Sequence, residues 1–400
     1  MAQDSQGGGN TQPASTALDA YPPQAREALI RLNAVKQGFM SLGVAEFFWR
    51  DHAVWLESRG YKLRPRYQPD WDPKLNVLEQ VNLGDENFLS MPRAAVVDAT
   101  RTKDGKRVLL KRISKSDHPF EVEITKLLSS DALASDPNNY CVQLLDILFP
   151  ADEPELTILV FPFLQSPTAL PFDTFGEIVG FIKQISEGLQ FLHHHHIAHR
   201  DIGVPNLMMD GEAMFPEGWN AVRGYLTPRG EKHSTIYTRT QRPSRYYFID
   251  FGLSRCFDPS DSNPLAEPIV GGDKTVPEFL TDREAFNPFH TDIYYLGNMI
   301  REFVMQGTEL EYKGYYGTDF LKPLIRDMVQ DDPAKRPTID EVVMRFDRIC
   351  KKLSAWKLRS RPIPRRENIF KGLRRHVDHW RRRLDYIKQG VPPIPSRPSL

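Results

Sequence analysis

The spacing of hydrophobic residues changes from a strand-like to a helix-like period near Pro171. Before that point, two short apolar segments flank a turn at Asp104-Gly105 and predict a β-hairpin, AAVVDAT and RVLLKRI. Further strands are predicted in VQLLDIL and LTILVFPFL, and a helix in PFEVEITKLLSSDAL. After Pro171 the pattern is helical, beginning with FGEIVGFIKQISEGLQFLHHHH. Strands followed by helices predict an α+β fold, in which a β-rich region is joined to an α-rich region.

The chain begins with a polar segment that differs from the rest in composition. Residues 1–21 are rich in Gly, Gln, Ser and Thr, which predicts disorder, whereas residues 22–40 carry Ala, Leu and Arg at helical spacing. The next segment, AEFFWRDHAVWLESRGYKLRPRYQPDW, is dense in aromatic residues. Because large aromatic side chains are costly to expose, we expect this lead-in to pack against the β-rich region.

The arginine-rich C-terminal segment, residues 356–400, admits several interpretations. It could contact acidic partners, nuclear import machinery or nucleic acid. Trp380, Leu384 and Ile387 fit one apolar stripe of a helix. This stripe favours a helix that packs on the α-rich region.

Overall composition is that of an ordinary globular protein and points to an intracellular location. Hydrophobic residues make up 40% of the 400 residues, and the formal net charge is +0. Whole-molecule attraction to nucleic acid or membrane is therefore not expected. Cys141, Cys256 and Cys350 form no C-x-x-C pair and predict reduced, buried thiols of the cytoplasm or nucleus. We recognise neither a signal peptide nor an apolar run of about 18 residues.

The strongest chemical signal is HRDIGVPN, residues 199–206. Phosphoryl transfer needs a carboxylate to orient the attacking hydroxyl and an amide oxygen nearby to hold a metal ion on the phosphates. Asp201 and Asn206 would supply both groups from one loop. The run His193–His196 just before it resembles a metal site, but successive histidines of a helix point in different directions.

Two further segments supply groups that bind phosphates. Asp250 ends a predicted strand in FIDFGLS, where its carboxylate could hold Mg²⁺ against the phosphates. Lys111, in RVLLKRI, would contact the α- and β-phosphates. A glutamate of the following helix must hold this lysine in place, and we predict Glu121, with Glu123 as the alternative.

These residues, in this order, resemble the protein kinase family, whose signature set is a strand lysine, an H-R-D-x-x-x-x-N loop and D-F-G. Val276-Pro277-Glu278 stands where the family has A-P-E, and Asp292 resembles the buried helix aspartate that supports the catalytic loop. Arg336 resembles the arginine that pairs with the A-P-E glutamate. The resemblance covers about residues 94–353. The whole chain also resembles kinase-domain proteins of mushroom-forming fungi, which share the aromatic-rich lead-in.

The resemblance implies a bilobal protein kinase-like fold with a small antiparallel β lobe and a larger, mainly helical lobe. It implies ATP between the lobes near Val160 and Phe161, Mg²⁺ on Asp250 and Asn206, and support from His199 and Arg200. The implied units are an N-terminal extension (1–40), a small lobe with its lead-in (41–165), a large lobe (166–355) with an insertion at about 211–245, and a basic tail (356–400).

Three departures from the family pattern bear on activity. A glycine-rich loop is missing, since VNLGDENFLSMPRAAVV holds the single Gly84. Leu109 replaces the usual alanine two residues before Lys111 and would crowd the adenine. Gly203 stands where many members have a lysine that reaches the γ-phosphate. The missing lysine predicts either a slow enzyme or a replacement cation, for which Arg239, Arg242 and Arg245 of the insertion are the nearest candidates in sequence.

The function implied by the resemblance is transfer of the ATP γ-phosphate to hydroxyls of protein substrates, with serine/threonine favoured over tyrosine. A pseudokinase that acts as a binding or scaffolding module is the alternative, because of the departures above. A small-molecule kinase of related fold is a third interpretation, disfavoured by the glutamate and arginine of the A-P-E type pair. Neither a membrane nor nucleic acid is expected as a partner, and the oligomeric state stays open.

Overall fold

The computed structural model describes residues 42–69, 71, 84–269, 272–280, 285–309 and 311–398. The extension predicted for residues 1–40 lies outside the described residues, including the helix predicted in 22–40. The fold is α+β: an antiparallel sheet is followed by a mainly helical part.

The N-terminal part is a five-stranded antiparallel sheet with strand order β1-β2-β3-β5-β4. Its strands are β1 (Tyr61–Leu63), β2 (Val96–Arg101), β3 (Arg107–Ser114), β4 (Asp146–Leu148) and β5 (Leu156–Pro162). The predicted hairpin is confirmed, since β2 pairs with β3 and Gly105 adopts a φ of +70° in the turn between them. Glycine tolerates this left-handed conformation without steric cost.

The aromatic lead-in packs on one face of this sheet, as its composition predicts. Helices α1 (Phe47–Asp51) and α2 (Ala53–Ser58) place Trp49 in a core with Val97, Leu110 and Val160. Trp49 and Tyr67 are each 1% exposed. Side chains of a strand alternate between faces. The opposite face of the sheet therefore carries Lys111 and is available to the rest of the chain.

Two elements between β3 and β5 differ from the sequence prediction. The helix predicted over PFEVEITKLLSSDAL is broken into α3 (Glu121–Leu128) and α4 (Asp131–Ala134). The hydroxyl of Ser129, at the break, accepts a hydrogen bond of 2.8 Å from the Leu144 backbone amide. The strand predicted in VQLLDIL is limited to β4, because the Val142 amide donates to the Phe248 carbonyl (2.9 Å), in the helical part.

The C-terminal part is built around α5 (Phe175–His194), whose first turn is capped by the Thr174 hydroxyl. Two short antiparallel pairs follow, β6 (Ile197–Ala198) with β9 (Arg255–Cys256) and β7 (Leu207–Met209) with β8 (Tyr246–Phe248). The remaining elements are α6 (Pro288–Ile300), β10 (Tyr315–Tyr316), α7 (Lys322–Met328), α8 (Ile339–Lys352), α9 (Ala355–Leu358), β11 (Ile363–Pro364) and α10 (Ile369–Lys388).

The last helix packs on the helical part, but through a different face from the predicted one. Trp380, Leu384 and Ile387 are 37%, 57% and 49% exposed, so the prediction that their stripe faces the domain is wrong. The buried residues are instead polar or amphipathic, namely His379, Arg383 and Tyr386. The reason is Asp173, a largely buried carboxylate beneath the helix, which accepts hydrogen bonds from the Arg382 guanidinium at 2.6 and 3.1 Å.

The three cysteines also differ in part from the prediction of buried thiols. All three are free, but only Cys141 is buried, whereas Cys350 is half-buried and Cys256 is exposed.

Candidate active site

The two short strand pairs bring two loops together. One loop runs from His199 to Asn206 between β6 and β7, and the other follows β8 and begins at Asp250. The Ile249 backbone amide donates to the Asn206 carbonyl (3.0 Å), which joins the loops directly. His199 is fully buried, with its Nε2 3.2 Å from the Ile249 carbonyl oxygen.

The first loop is held from below by a buried carboxylate. Asp292, on α6, is 0% exposed and accepts hydrogen bonds from the backbone amides of His199 (2.8 Å) and Arg200 (2.7 Å). His193 Nε2 lies 3.1 Å from the same carboxylate. Arg200 adopts a φ of +68°, which is unfavourable for a residue with a side chain. Asp292 therefore stabilises a loop conformation that the backbone would not adopt by itself.

Asp201 and Asn206 contact each other at the centre of this loop. The Asn206 Nδ2 group donates to the Asp201 carbonyl (2.8 Å) and to its Oδ2 (2.7 Å). The other amide atom, Asn206 Oδ1, is buried and has no hydrogen-bond partner within the described part of the chain. A buried acceptor without a donor is unusual. It fits an oxygen that binds a cation.

Lys111 lies between two carboxylates on the cleft side of the sheet. Its ammonium donates to Asp250 Oδ1 (2.8 Å) and to Glu121 Oε1. Glu123 instead lies on the surface beside Lys126, so the geometry selects Glu121 over the alternative. Burial opposes the charge of both Lys111 and Asp250, but the attraction of Glu121 and then Asp250 outweighs it for Lys111, and the attraction of Lys111 outweighs it for Asp250. The pKa of Lys111 is raised and that of Asp250 is lowered.

An open cavity of about 440 Å³ adjoins these groups and contains Asp201, Asn206 and Asp250 in its wall. Arg93 also lines it, with its guanidinium 3.5 Å from Asp250 Oδ2 and its side chain 55% exposed. The Arg93 side chain could move toward a bound anion. The Asp250 carboxylate and the Asn206 amide oxygen are donors that fit a hard cation such as Mg²⁺.

The proposed nucleotide residues Val160 and Phe161 lie on opposite faces of β5. Phe161 pairs with Leu109 in the sheet and shares the face of Lys111. Val160 packs into the core beneath the lead-in, so its side chain points away from the cleft. A nucleotide contact at Val160 would therefore be made by its backbone.

A largely buried ionic network lies on the cleft face of the sheet, at the end that is farther from Lys111. Asp98, 2% exposed, accepts hydrogen bonds of 2.8 Å from both Arg64 and Arg107. Arg107 also pairs with Glu86 (3.1 Å), which lies in the segment that replaces a glycine-rich loop. In the sheet Asp98 pairs with Leu109, so the network lies on the face where the adenine is expected.

The insertion covers this network. Trp219 stacks on Phe163 with ring centroids 5.4 Å apart, and its carbonyl accepts from Arg107 (2.6 Å). Asn220 Nδ2 donates to the Gly84 carbonyl (2.9 Å). The insertion therefore packs against the segment of Gly84 and Glu86 that stands in place of a glycine-rich loop.

The insertion arginines do not reach the catalytic groups, contrary to the prediction. Arg239 donates to the carbonyls of Pro167 and Leu170, and Arg245 to those of Pro137 and Asn139. The Arg242 side chain lies over the Tyr237 ring. Arg93 is the cation that faces the cavity instead.

Three further predicted residues make structural contacts. Arg336 forms a buried bidentate pair with Glu278, at 2.6 and 2.7 Å. The Arg200 guanidinium donates to backbone carbonyls of Leu253 and Glu267, so its donors face the backbone.

Within the histidine run, His193 contacts Asp292 while His194 contacts Asp340, in agreement with divergent helical directions.

Sequence reasoning missed Arg93, Trp219 and Gly272. Gly272 adopts a φ of +66°, and a Cβ there would lie 2.5 Å from Asp201 Oδ1. For Gly272, the residue type itself was a signal in the sequence. Arg93 and Trp219 gave none, because contacts between distant segments leave no local sequence pattern.

The order of the elements and the arrangement of the site residues are those expected of a protein kinase domain. Residues 162–346 match the family model described as protein tyrosine and serine/threonine kinase. This match supports a protein kinase domain in the part of the chain that holds the helices and both catalytic loops. No curated protein matches the chain significantly. Among the described residues, we find no helix with the length and apolar character to cross a bilayer.

Proposed function

We propose that the protein is an ATP- and Mg²⁺-dependent protein kinase that transfers the γ-phosphate to protein hydroxyls, with serine/threonine favoured. The observation that carries this proposal is the cluster of Lys111, Glu121 and Asp250 next to Asn206, whose buried Oδ1 has no donor among the residues that the structure describes. Within the family this lysine–glutamate pair and metal-binding aspartate must both be in place for transfer. The nucleotide would lie between a small sheet-based lobe and a larger helical lobe.

In the proposed reaction, the substrate hydroxyl oxygen attacks the γ-phosphorus while the bond to the β–γ bridging oxygen breaks. The hydroxyl proton passes to an oxygen of Asp201, whose orientation is fixed by the Asn206 amide. Lys111 would hold the nonreacting phosphates. Asp250 and Asn206 would hold Mg²⁺, which neutralises phosphate charge. Arg93 would supply positive charge that Gly203 lacks.

The alternative function, a pseudokinase scaffold, is favoured by the covered adenine face. Asp98 and Arg64 are buried on that face, Arg107 is half-buried beside them, and the Trp219 carbonyl accepts a hydrogen bond from Arg107. Adenine binding would then require the insertion to move. The two functions differ in whether phosphate is transferred, and a scaffold whose adenine face stays covered would also not be stabilised by Mg-ATP.

Thermal unfolding with Mg-ATP tests the proposal. At a nucleotide concentration about a hundredfold above Kd, the kinase should gain about 2.7 kcal/mol of stability. Asp250→Asn should remove most of the Mg²⁺-dependent part. A wild-type melting temperature that does not respond to Mg-ATP would support the scaffold instead.

A second variant separates binding from transfer. Asp201→Asn should keep the nucleotide-dependent stabilisation but reduce transfer of radiolabelled phosphate by at least about a hundredfold, because it removes the proton acceptor. Equal transfer by both proteins would assign the signal to a contaminating kinase.

The predicted unit boundaries, 1–40, 41–165, 166–355 and 356–400, and an intracellular location remain part of this proposal. Expression of residues 41–355 as a folded unit would test the boundaries.

A further inference from the structure

The last helix, α10, is attached to the domain by its polar side. His379 and Arg382 contact the carboxylate of Asp173, and the Tyr386 hydroxyl lies 2.9 Å from Thr238 Oγ1. Burial raises the pKa of Asp173, but hydrogen bonds from His379 and Arg382 outweigh it, so this pKa is lowered. These contacts set the rotation of the helix about its axis.

Because the polar side of α10 faces the domain, the apolar residues on its other side are exposed and form a seam. Six apolar residues follow one another at intervals of three and four, and each is between 37% and 84% exposed: Phe370, Leu373, Val377, Trp380, Leu384 and Ile387. These intervals are the a and d positions of three heptads. A stripe limited to a and d positions is the narrow seam that a second helix covers.

Cations follow one edge of this seam. The residues after each d position are Arg374, Arg381 and Lys388, all exposed. In a coiled coil these e positions face side chains of the partner helix and select it by charge. The opposite edge carries His376 and Arg383 at g positions. Both edges of the seam are therefore cationic or neutral.

The charges disfavour a second copy of the chain as the occupant. A parallel pair would bring the e-position cations against His376 and Arg383, and an antiparallel pair would bring them against each other. Like charges at these positions oppose pairing. The N-terminal segment 22–40 is also basic, with Arg26, Arg31 and Lys36 against a single acid, Glu27. It offers no complementary charge.

A lipid surface fits the seam less well than a helix does. Helices that lie on membranes carry a basic polar face that reaches the headgroups. Here Arg383 is 3% exposed, with its guanidinium 3.7 Å from the centre of the Trp356 ring. Exposed cations thus flank one edge alone.

We propose that α10 is a docking helix for a partner protein, which contributes an amphipathic helix with acidic residues beside its apolar stripe. The partner's apolar residues would cover the seam, and its carboxylates would face Arg374, Arg381 and Lys388. This surface does not depend on phosphate transfer.

The test uses the full chain and a labelled synthetic helix of three heptads with Leu at a and d and Glu at e and g. A matched peptide with Lys at e and g is the control. Anisotropy should show binding of the Glu peptide, at least about tenfold tighter than the Lys peptide, and weakening as added salt shortens the screening length. Equal affinity for both peptides, or no binding, would overturn the proposal.

Two variants locate the binding. Arg374→Glu with Arg381→Glu should weaken the Glu peptide by at least about tenfold and strengthen the Lys peptide. Arg326→Glu, at a side chain 77% exposed on α7, is the matched charge control and should change neither. Leu384→Asn should weaken binding, whereas Val54→Asn, at an apolar residue 65% exposed on α2, should not. If the controls weaken binding equally, α10 is not the site.

The competing occupants give distinct results. Sedimentation of a dimer that Leu384→Asn dissociates would assign the seam to a second copy and overturn the proposal. A third outcome is that the protein co-sediments with phosphatidylserine/phosphatidylcholine vesicles, that Leu384→Asn abolishes this, and that no peptide binds. This outcome would assign the seam to a membrane surface and overturn the proposal.

Discussion

Asp292→Asn should destabilise the protein because one backbone amide of the catalytic loop would lose its acceptor. Oδ1 of the native carboxylate accepts from the Arg200 amide, and Oδ2 accepts from the His199 amide and lies 3.1 Å from His193. An amide side chain keeps one acceptor oxygen and places an NH2 group against the other donor. Asp292 is fully buried, so water does not replace the lost bond.

The cost combines a lost hydrogen bond to a charged group with a buried donor left unsatisfied, together roughly 3 kcal/mol. At about 2–4 °C per kcal/mol for a domain of this size, the melting temperature should fall by about 6–12 °C. Thermal unfolding followed by circular dichroism measures the shift. Under the kinase proposal, phosphate transfer should fall as well, because Arg200 would relax from its left-handed conformation.

A matched control is available at Asp340, which also accepts from a histidine of the same run. His194 Nε2 lies 2.8 Å from its carboxylate and Gln190 donates at 2.7 Å, but the side chain is 61% exposed. Asp340→Asn should change stability by less than about 1 kcal/mol. Equal shifts for Asp292→Asn and Asp340→Asn would refute the argument that burial makes Asp292 important.

Two other predictions concern stability and thiol reactivity. Arg336→Leu should lower the free energy of unfolding by about 3–5 kcal/mol, because the buried Glu278 carboxylate would lose its guanidinium partner. The double variant Arg336→Leu with Glu278→Leu should lower it by less, and equal losses in a denaturant titration would contradict this. In the folded protein only the exposed Cys256 should react rapidly with a thiol reagent near pH 8, since burial raises the pKa of Cys350 to about 11 and also raises that of Cys141. Rapid reaction of three thiols per folded chain would contradict that assignment.

Much of the fold and the candidate site could be predicted because their signals are local. The β2–β3 hairpin depends on alternating side chains and an Asp-Gly turn, both contained in about twenty residues. Within one motif of the candidate site the spacing is short and fixed, as between Asp201 and Asn206. A spacing of five residues within one loop already limits how far apart two side chains can lie.

Contacts between distant segments could not be predicted in this way. Nothing near Val142 indicates that its amide pairs with Phe248 rather than with the first sheet. Likewise, Arg93 and Trp219 reach the cleft from segments without a recognisable motif. The position of Trp219 depends on how the insertion packs on Phe163, and that of Arg93 on its approach to Asp250.

The last helix shows most clearly what sequence and tertiary structure each determined. The sequence alone determined that residues 369–388 form an amphipathic helix, because heptad spacing and helix-favouring residues are properties of the segment itself. Which face is buried was decided by Asp173, about two hundred residues earlier in the chain. A largely buried carboxylate is costly without cationic hydrogen-bond donors. Satisfying it turns Arg382 and His379 inward and leaves the apolar seam exposed.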